Sequence, residues 1–147
     1  MSLSLWQTQL AKWTIRACEL EVHSPKPGNV SPGNEFSNAS VTDFLKSAEA
    51  IAPELALAGK RAIGQTILAA IKATRQAVGH NTNLGIVLLL TPLASVPPEQ
   101  SLFDGNEAVL HATTVKDSED VYAAIRLAQP AALGRRDHRR GDGQGRQ

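Results

Sequence analysis

The sequence predicts an all-α protein, a compact bundle of about six helices, and three observations favour that fold class. Of its 147 residues 42% are hydrophobic but only 4% aromatic, which is typical of helices packed closely through Ala, Leu, Ile and Val. Apolar residues recur at spacings of three and four along most of the chain. The most apolar run, which begins at Leu84, has no second strand-like segment to pair with, so we interpret it as a helix.

The first predicted helix runs from about residue 3 to about residue 22 and ends before Pro25. One face of it is formed by the apolar residues Leu3, Trp6, Leu10, Trp13, Ala17 and Leu20. Residues 24–40 are too rich in Pro and Gly for helix or sheet and form a loop, either ordered or flexible. A second helix follows the capping-box pair Ser40 and Asp43, and Pro53 should bend or end it.

The remaining predicted helices are residues 59–78 with Gly79 as terminator, the apolar run from Leu84, a weak helix over 99–111, and a firmer one over 115–129. The inward face predicted for the helix over 59–78 consists of Ile63, Ile67, Ile71, Thr74 and Val78. Thr114 and Asp117 have the spacing of a capping box for the last helix.

The positive charge of the chain is concentrated at its end. The formal net charge is +1, yet residues 131–147 hold five arginines against two aspartates, so residues 1–130 are net negative. A nucleic-acid surface on the folded part is therefore not expected. The Arg- and Gly-rich tail should be disordered in isolation, and its binding to RNA or DNA is the last-ranked of our hypotheses.

Cysteine use and hydropathy indicate where the protein works. Cys18 is the single cysteine, which excludes an intrachain disulfide and a multi-cysteine metal site, and we interpret it as a small core residue. The N-terminus lacks a signal-peptide pattern, and the apolar run from Leu84 is too short to span a bilayer. We expect a soluble, cytoplasmic protein with no membrane partner.

The segment Ser-Pro-Lys-Pro-Gly-Asn-Val, residues 24–30, is the first candidate for chemistry. Lys26 lies between two prolines that restrict the backbone, and Gly28 allows a ligand to approach closely. An ammonium group on such a corner suits a phosphate oxygen. The alternative is a solvated connector between helices.

A second candidate is His-Asn-Thr-Asn, residues 80–83, directly before the apolar helix. Free N–H groups and the positive dipole end at a helix N-terminus form an anion site. Plain N-capping by Asn81 or Thr82 is the alternative.

Acidic and imidazole side chains on both sides of the Pro-rich loop form a third group. Its members are Glu19, Glu21, His23, Glu35 and Asp43. Carboxylates beside a polyphosphate would hold Mg²⁺ or act as a general base. A solvated position for Glu19 and a capping role for Asp43 are the alternatives.

Taken in order and spacing, three segments resemble the triphosphoribosyl-dephospho-CoA synthase family over roughly residues 10–130. They are Glu-Leu-Glu-Val-His-Ser-Pro-Lys-Pro-Gly-Asn-Val (19–30), Asp-Phe-Leu-Lys-Ser-Ala (43–48) and Asn-Thr-Asn-Leu-Gly (81–85). The resemblance implies an all-α enzyme that joins ATP to dephospho-CoA and releases adenine, making the prosthetic-group precursor of citrate or malonate acyl carrier proteins.

By position, the resemblance implies ATP and Mg²⁺ as cofactors. Glu21 and Asp43 would be the catalytic residues and the Mg²⁺ ligands, and the implied nucleotide-binding residues are Lys26, Gly28, Asn29, Asn81, Thr82 and Asn83. The chain departs from the better-known members at Asn38-Ala39-Ser40 and at Asn83 and Leu84, where a histidine and a lysine are replaced. The acceptor is therefore left open between dephospho-CoA and a related precursor, for example a pterin-type one.

Family members are roughly twice as long, and after Pro130 they continue with glycines where this chain has Ala131 and Ala132. We therefore expect residues 1–130 to be the N-terminal part of the helical domain, and residues 131–147 to be out of frame or otherwise not the family's sequence. The alternative to an active transferase is an inactive truncated homologue, or a non-catalytic module that forms a homodimer through the helix from Leu84.

Overall fold

The structure, a computed structural model, describes residues 3–36 and 39–129. The predicted disordered tail and change of reading frame at 131–147 lie outside the described residues. Within the two described ranges the chain forms six helices, α1 (Leu5–Val22), α2 (Val41–Ala56), α3 (Ile63–Val78), α4 (Leu84–Ala94), α5 (Leu102–His111) and α6 (Val115–Ala128). The prediction of an all-α bundle of about six helices is confirmed.

Helix α3 lies at the centre of the bundle, with α2 on one side and α6 on the other, and α1 packs on the far side of α2. The core consists of small and branched aliphatic residues, namely Cys18, Ala48, Ile51, Leu55, Ile67, Ala70, Ile71, Val87, Ala124 and Ala128. Small side chains let the backbones approach closely. At the crossing of α3 and α6, a Cβ on Gly64 would lie only 2.6 Å from the Asp117 Cα atom.

Local capping follows the sequence closely. Ser40 with Asp43, and Thr114 with Asp117, form the two predicted capping boxes. Gly79 ends α3 in the left-handed conformation at φ +79°, as predicted. The apolar run is helical, and no helix among the described residues is both long and apolar enough to cross a membrane.

Three predicted boundaries are wrong. Helix α3 begins at Ile63 rather than at residue 59, because Arg61 turns back and donates to the Glu54 carbonyl and carboxylate oxygens at 2.8 and 2.9 Å. Of the two effects predicted for Pro53, a bend or an end, the end is wrong, because α2 continues to Ala56 with the proline ring exposed. Helix α5 begins at Leu102, after its N-cap Ser101, and the residues before it form a turn.

The predicted inner face of α1 is largely wrong. The buried residues are Leu10, Thr14, Cys18 and Val22, a line rotated from the predicted one and sharing only Leu10 with it. Trp13 is 51% exposed and Leu20 53% exposed. Because α2 covers α1 along the small residues Thr14 and Cys18, the larger apolar residues are left at the edge of the contact.

Candidate functional site

The loop after α1 is held together by its own hydrogen bonds. Ser31 and Asn34 exchange two backbone hydrogen bonds of 3.3 and 2.8 Å, and the Asn34 Nδ2 group donates to the Asn29 carbonyl at 3.2 Å. Gly28 has φ +79°, a conformation that only glycine adopts without steric cost. Val30 is buried beneath the loop. The described part of this loop is therefore ordered.

Glu21, in the last turn of α1, contacts two side chains of the loop. Its Oε1 atom accepts a hydrogen bond from Lys26 Nζ at 2.7 Å and lies 3.4 Å from Asn29 Nδ2. Both members of the ion pair remain partly exposed, so the pair contributes only about 0–1 kcal/mol. An anionic ligand can therefore compete with Glu21 for the Lys26 ammonium group.

The turn between α3 and α4 is fixed by buried hydroxyl and amide groups. The Thr82 hydroxyl donates to Ser47 Oγ on α2 at 2.7 Å, and that hydroxyl in turn donates to the Phe44 carbonyl at 2.9 Å. The Thr74 hydroxyl on α3 donates to Asn83 Oδ1 at 2.9 Å. The turn is thus held against two helices, and Thr82 does not cap α4.

The N-terminus of α4 is only partly capped. Asn81 Oδ1 accepts a hydrogen bond from the Leu84 backbone N–H at 3.1 Å, so the capping alternative holds for this residue. Asn83, the N-cap residue, makes no side-chain capping bond, and its Nδ2 group is buried without a partner among the described residues. First-turn N–H groups, which have no intrahelical acceptor, remain available to a ligand.

His80 faces Asp43 across this turn. It belongs to the predicted His-Asn-Thr-Asn segment, but the sequence analysis assigned it no role of its own. Its Nδ1 atom lies 2.9 Å from the Val78 carbonyl oxygen, which only accepts, so Nδ1 carries the proton. In the neutral ring Nε2 then holds the lone pair. Nε2 is buried with no hydrogen-bond partner among the described residues and lies 3.8 Å from Asp43 Oδ2. Its direct proximity to Asn81 in sequence was a signal that could have identified it.

Asp43 has the capping role that its sequence context suggested. Its Oδ2 atom accepts from the Ser40 backbone N–H at 3.0 Å and from the Ser40 hydroxyl at 3.1 Å. The backbone hydrogen bond from Ser40 holds the pKa of Asp43 below its ordinary value of 3.8, and this effect exceeds the opposing effect of burial. The carboxylate is therefore a weak base that remains ionised beside the His80 ring.

One cavity of about 700 Å³ lies between the Pro-rich loop and the start of α4. Such a volume is within the range of small-molecule sites. Its polar lining comes from Glu21, Asn29, His80, Asn81, Thr82, Asn83 and Gln129, and its other lining residues include Gly28, Val30, Phe36, Phe44, Gly85 and Ile86.

Most of the predicted site residues meet at this cavity although their motifs are more than fifty residues apart. Lys26 and Asp43 do not line it. Lys26 is connected to it through Glu21, and Asp43 through His80. Glu35 is separate, since its Oε1 atom accepts from the Val41 backbone N–H at 2.7 Å and so supports the start of α2.

The metal-binding prediction concerns Glu21 and Asp43. Among residues 3–36 and 39–129, no group of three or more His, Cys, Asp or Glu side chains is placed to hold a metal ion. Mg²⁺ in nucleotide sites is usually held by one or two carboxylates together with phosphate oxygens and water. The donors available here suit that mode and do not form a complete protein cage.

Comparison with known protein families identifies a match. The family model CitG, described as ATP:dephospho-CoA triphosphoribosyl transferase, matches residues 7–146 of the chain. No curated protein and no solved structure matches significantly.

Proposed function

Since the chain belongs to the CitG family of ATP:dephospho-CoA triphosphoribosyl transferases, we propose that its cavity is the site of such a transfer. The triphosphoribosyl group of ATP would pass to a ribose hydroxyl of dephospho-CoA or a related cofactor precursor, with release of adenine. One observation carries the proposal: the Pro-Lys-Pro-Gly loop and the Asn-Thr-Asn turn, distant in sequence, line the same cavity.

The triphosphate is assigned to the side of the cavity formed by the first turn of α4. The positive end of this helix and the unpartnered Asn83 Nδ2 group both favour an anion there. Lys26 would leave Glu21 and bind a phosphate oxygen, which costs little because the exposed ion pair is weak. The space beside Gly28 is open, since a Cβ atom built at this position would have no other heavy atom within 4 Å. A ligand can therefore approach the loop backbone there.

We assign Mg²⁺ to Glu21 rather than to Asp43. Lys26 and Asn29 both contact Oε1 of Glu21, and Oε2 accepts no hydrogen bond from the described residues. Asp43 already holds Ser40 through two hydrogen bonds that cap α2. Bound Mg²⁺ would neutralise part of the triphosphate charge, and Glu21 would be its protein ligand.

His80 is the residue that we assign as general base. The Val78 carbonyl keeps the proton on Nδ1, so the lone pair is on Nε2. Because Nε2 is buried beside Asp43, it would accept the proton of the acceptor hydroxyl after the ring shifts toward the cavity. The hydroxyl oxygen then forms a bond to the ribose C1 atom of ATP while the bond from C1 to the adenine nitrogen breaks and its electron pair leaves with adenine. Asp43, 3.8 Å from Nε2, stabilises the resulting imidazolium, whose proton can then neutralise the departing adenine.

The proposal is tested first by nucleotide binding. ATP with Mg²⁺ should raise the melting temperature, since a ligand at a hundred times its Kd adds about 2.7 kcal/mol to the free energy of unfolding. Lys26→Ala should remove most of the shift. Lys60→Ala is the matched control and should leave the shift intact, because Lys60 is an exposed lysine that, unlike Lys26, pairs with no cavity-lining residue among the described residues.

The second test is product formation. Incubation with ATP, Mg²⁺ and dephospho-CoA should release adenine, which chromatography detects. His80→Gln should lower the rate by about 10²-fold or more while the ATP-induced melting shift is kept, because loss of a general base costs about 10²–10⁴-fold. An unchanged rate in this variant would contradict the assignment of His80, and no ATP shift in the wild type would contradict the nucleotide site itself.

A further inference from the structure

Part of the cavity described above has no role in binding the triphosphate, Mg²⁺ or the acceptor hydroxyl. The residues assigned to those groups come from the end of α1, the loop after it and the turn that leads into α4. The remaining lining includes Phe36, Phe44 and Gln129. ATP has one further part, the adenine base, which is planar and carries hydrogen-bonding atoms on its edges. Proteins bind such a base by stacking it on an aromatic ring and by hydrogen bonds to an edge.

Phe36 offers an exposed aromatic ring on a fixed backbone. Phe36 and Ala39 exchange two backbone hydrogen bonds of 3.1 and 3.3 Å. The preceding residue, Glu35, accepts from the Val41 backbone N–H at 2.7 Å. Phe36 is nevertheless 47% exposed, and it lines the cavity. Because the backbone is already ordered, a planar ligand that stacks on this ring has little besides the ring itself to immobilise.

The distribution of aromatic residues also favours a base in this cavity. Only 4% of the chain is aromatic, yet two of its three phenylalanines, Phe36 and Phe44, line the cavity. Phe44 lies on α2 and is partly buried. The third, Phe103, is 84% exposed on α5 and does not line it. A site for phosphate groups alone would need no aromatic residue, since phosphate is bound by cations and by N–H and O–H donors.

Gln129 is suited to the edge of the base. Its φ is +48°, and in the part of the chain that the structure describes it is the only residue other than glycine with a positive φ. Its backbone N–H donates to the Ile125 carbonyl at 3.2 Å, which ends α6. Glycine would end the helix in this conformation at a lower steric cost, so the side chain is what glutamine adds here. Gln129 is exposed and lines the cavity, and strained residues are common at ligand sites.

We propose that Phe36 and Gln129 form the adenine subsite of the cavity, an inference that rests on the proposed function. The Phe36 ring stacks on the base and gives affinity for any base, because every base has an aromatic face. The Gln129 carbonyl oxygen accepts from the 6-amino group of adenine, and its NH₂ group donates to N7. Guanine has acceptors at both of these positions, so the Gln129 oxygen would face an acceptor. Phe36 therefore sets the affinity for the base, and Gln129 sets the preference for adenine over guanine.

Isothermal titration calorimetry on the full-length chain with Mg²⁺ tests the stacking. The ligands are ATP and inorganic triphosphate, which has the phosphates without the base. Phe36→Leu should raise the dissociation constant of ATP by about 10-fold, as loss of one stacked base does, and should leave that of inorganic triphosphate unchanged. Phe36→Tyr keeps an aromatic ring and should bind ATP like the wild type. Phe103→Leu is the matched control and should change neither constant, since Phe103 does not line the cavity.

The choice between two bases tests Gln129. The wild type should bind ATP about 10-fold more tightly than GTP, the discrimination expected of one two-bonded amide contact. Gln129→Met keeps the length of the side chain but removes its amide, so this preference should disappear. Equal affinity for ATP and GTP in the wild type would overturn the assignment of Gln129, and so would a preference that Gln129→Met retains.

The possible outcomes separate this inference from the proposed function. If neither ATP nor inorganic triphosphate binds the wild type, the nucleotide site is refuted and the adenine subsite with it. If both bind and Phe36→Leu leaves the ATP affinity unchanged, the phosphate site stands and the adenine subsite is overturned. A separate titration with dephospho-CoA, which carries an adenine of its own, covers the remaining case: weaker binding of dephospho-CoA alone in Phe36→Leu would assign the ring to the acceptor and overturn the proposal. Circular dichroism checks that each variant is folded.

Discussion

Asp117 connects two helices through one carboxylate, and its removal is the most informative test of the fold. Its Oδ2 atom accepts from the Thr114 backbone N–H at 2.9 Å and from the Thr114 hydroxyl at 2.8 Å, which caps α6. Its Oδ1 atom accepts from the Gly64 backbone N–H at 2.9 Å, in the first turn of α3. Helix α3 has no side-chain cap of its own, so Asp117 supplies one from a distant part of the chain.

The expected cost of Asp117→Ala follows from these contacts. Loss of the α6 cap costs about 1 kcal/mol. The buried Gly64 N–H group, left without its partner, costs a further 1–3 kcal/mol or so. The free energy of unfolding should therefore fall by about 2–4 kcal/mol, a large part of the roughly 5–15 kcal/mol typical of a small domain. Urea unfolding at neutral pH, followed by circular dichroism, measures this change.

Asp104→Ala is the matched control. Asp104 also lies three residues after an N-cap serine, and its Oδ2 atom accepts from the Ser101 hydroxyl at 2.8 Å, but the contact is exposed and holds no second helix. Its removal should cost about 1 kcal/mol or less. Equal costs for the two variants would refute the double capping by Asp117.

The pH dependence gives a second check. The hydrogen bond from the Gly64 backbone N–H is the main cause that holds the pKa of Asp117 below its ordinary value of 3.8. A carboxyl group whose folded pKa is lowered stabilises the fold fully above that ordinary value and loses the contribution as pH falls through the folded pKa. The difference in stability between wild type and Asp117→Ala should shrink below pH 3.8. A difference that stays constant there would contradict this origin of the stability.

Three further outcomes are expected. Thr82→Val should lower the free energy of unfolding by about 1–3 kcal/mol, because the buried Ser47 hydroxyl loses its 2.7 Å donor, and a urea series that shows no change would contradict this. Gly64→Ala should cost about 1–3 kcal/mol in the same assay, since the added Cβ would lie 2.6 Å from the Asp117 backbone. Burial raises the pKa of the Cys18 thiol to about 11, so a thiol reagent should label it much more slowly in the native protein than in urea, and equal rates would refute its burial.

Local features of this protein could be read from its sequence. The capping boxes at Ser40 and Thr114 and the left-handed Gly79 depend on residues within a few positions of each other, and all three were predicted. The family could also be identified from motifs at residues 19–30 and 81–85, and the match over residues 7–146 confirms it. The caps depend on neighbouring residues and the family motifs are patterns along the chain, so both can be recognised without knowledge of the tertiary structure.

Features that depend on which helices meet could not be read in this way. The apolar spacing of α1 is satisfied by two neighbouring faces, and only packing against α2 decides that Thr14 and Cys18 are buried while Trp13 is half exposed. The same holds for Asp117, whose local capping was predicted but whose bond to Gly64 was not. A contact between two residues that are 53 positions apart produces no periodic pattern in the sequence of either segment.

The sequence alone determined the fold class, the capping boxes of α2 and α6, the end of α3 at Gly79 and the family, because each is encoded in composition or in residues close along the chain. Only the tertiary structure decided that the Pro-Lys-Pro-Gly loop and the Asn-Thr-Asn turn line one cavity. It also decided that Lys26 forms an ion pair with Glu21 and that His80 faces Asp43. The physical reason is that α2 and α3 lie between these segments in sequence, and the packing of those two helices sets the distance between the segments in space.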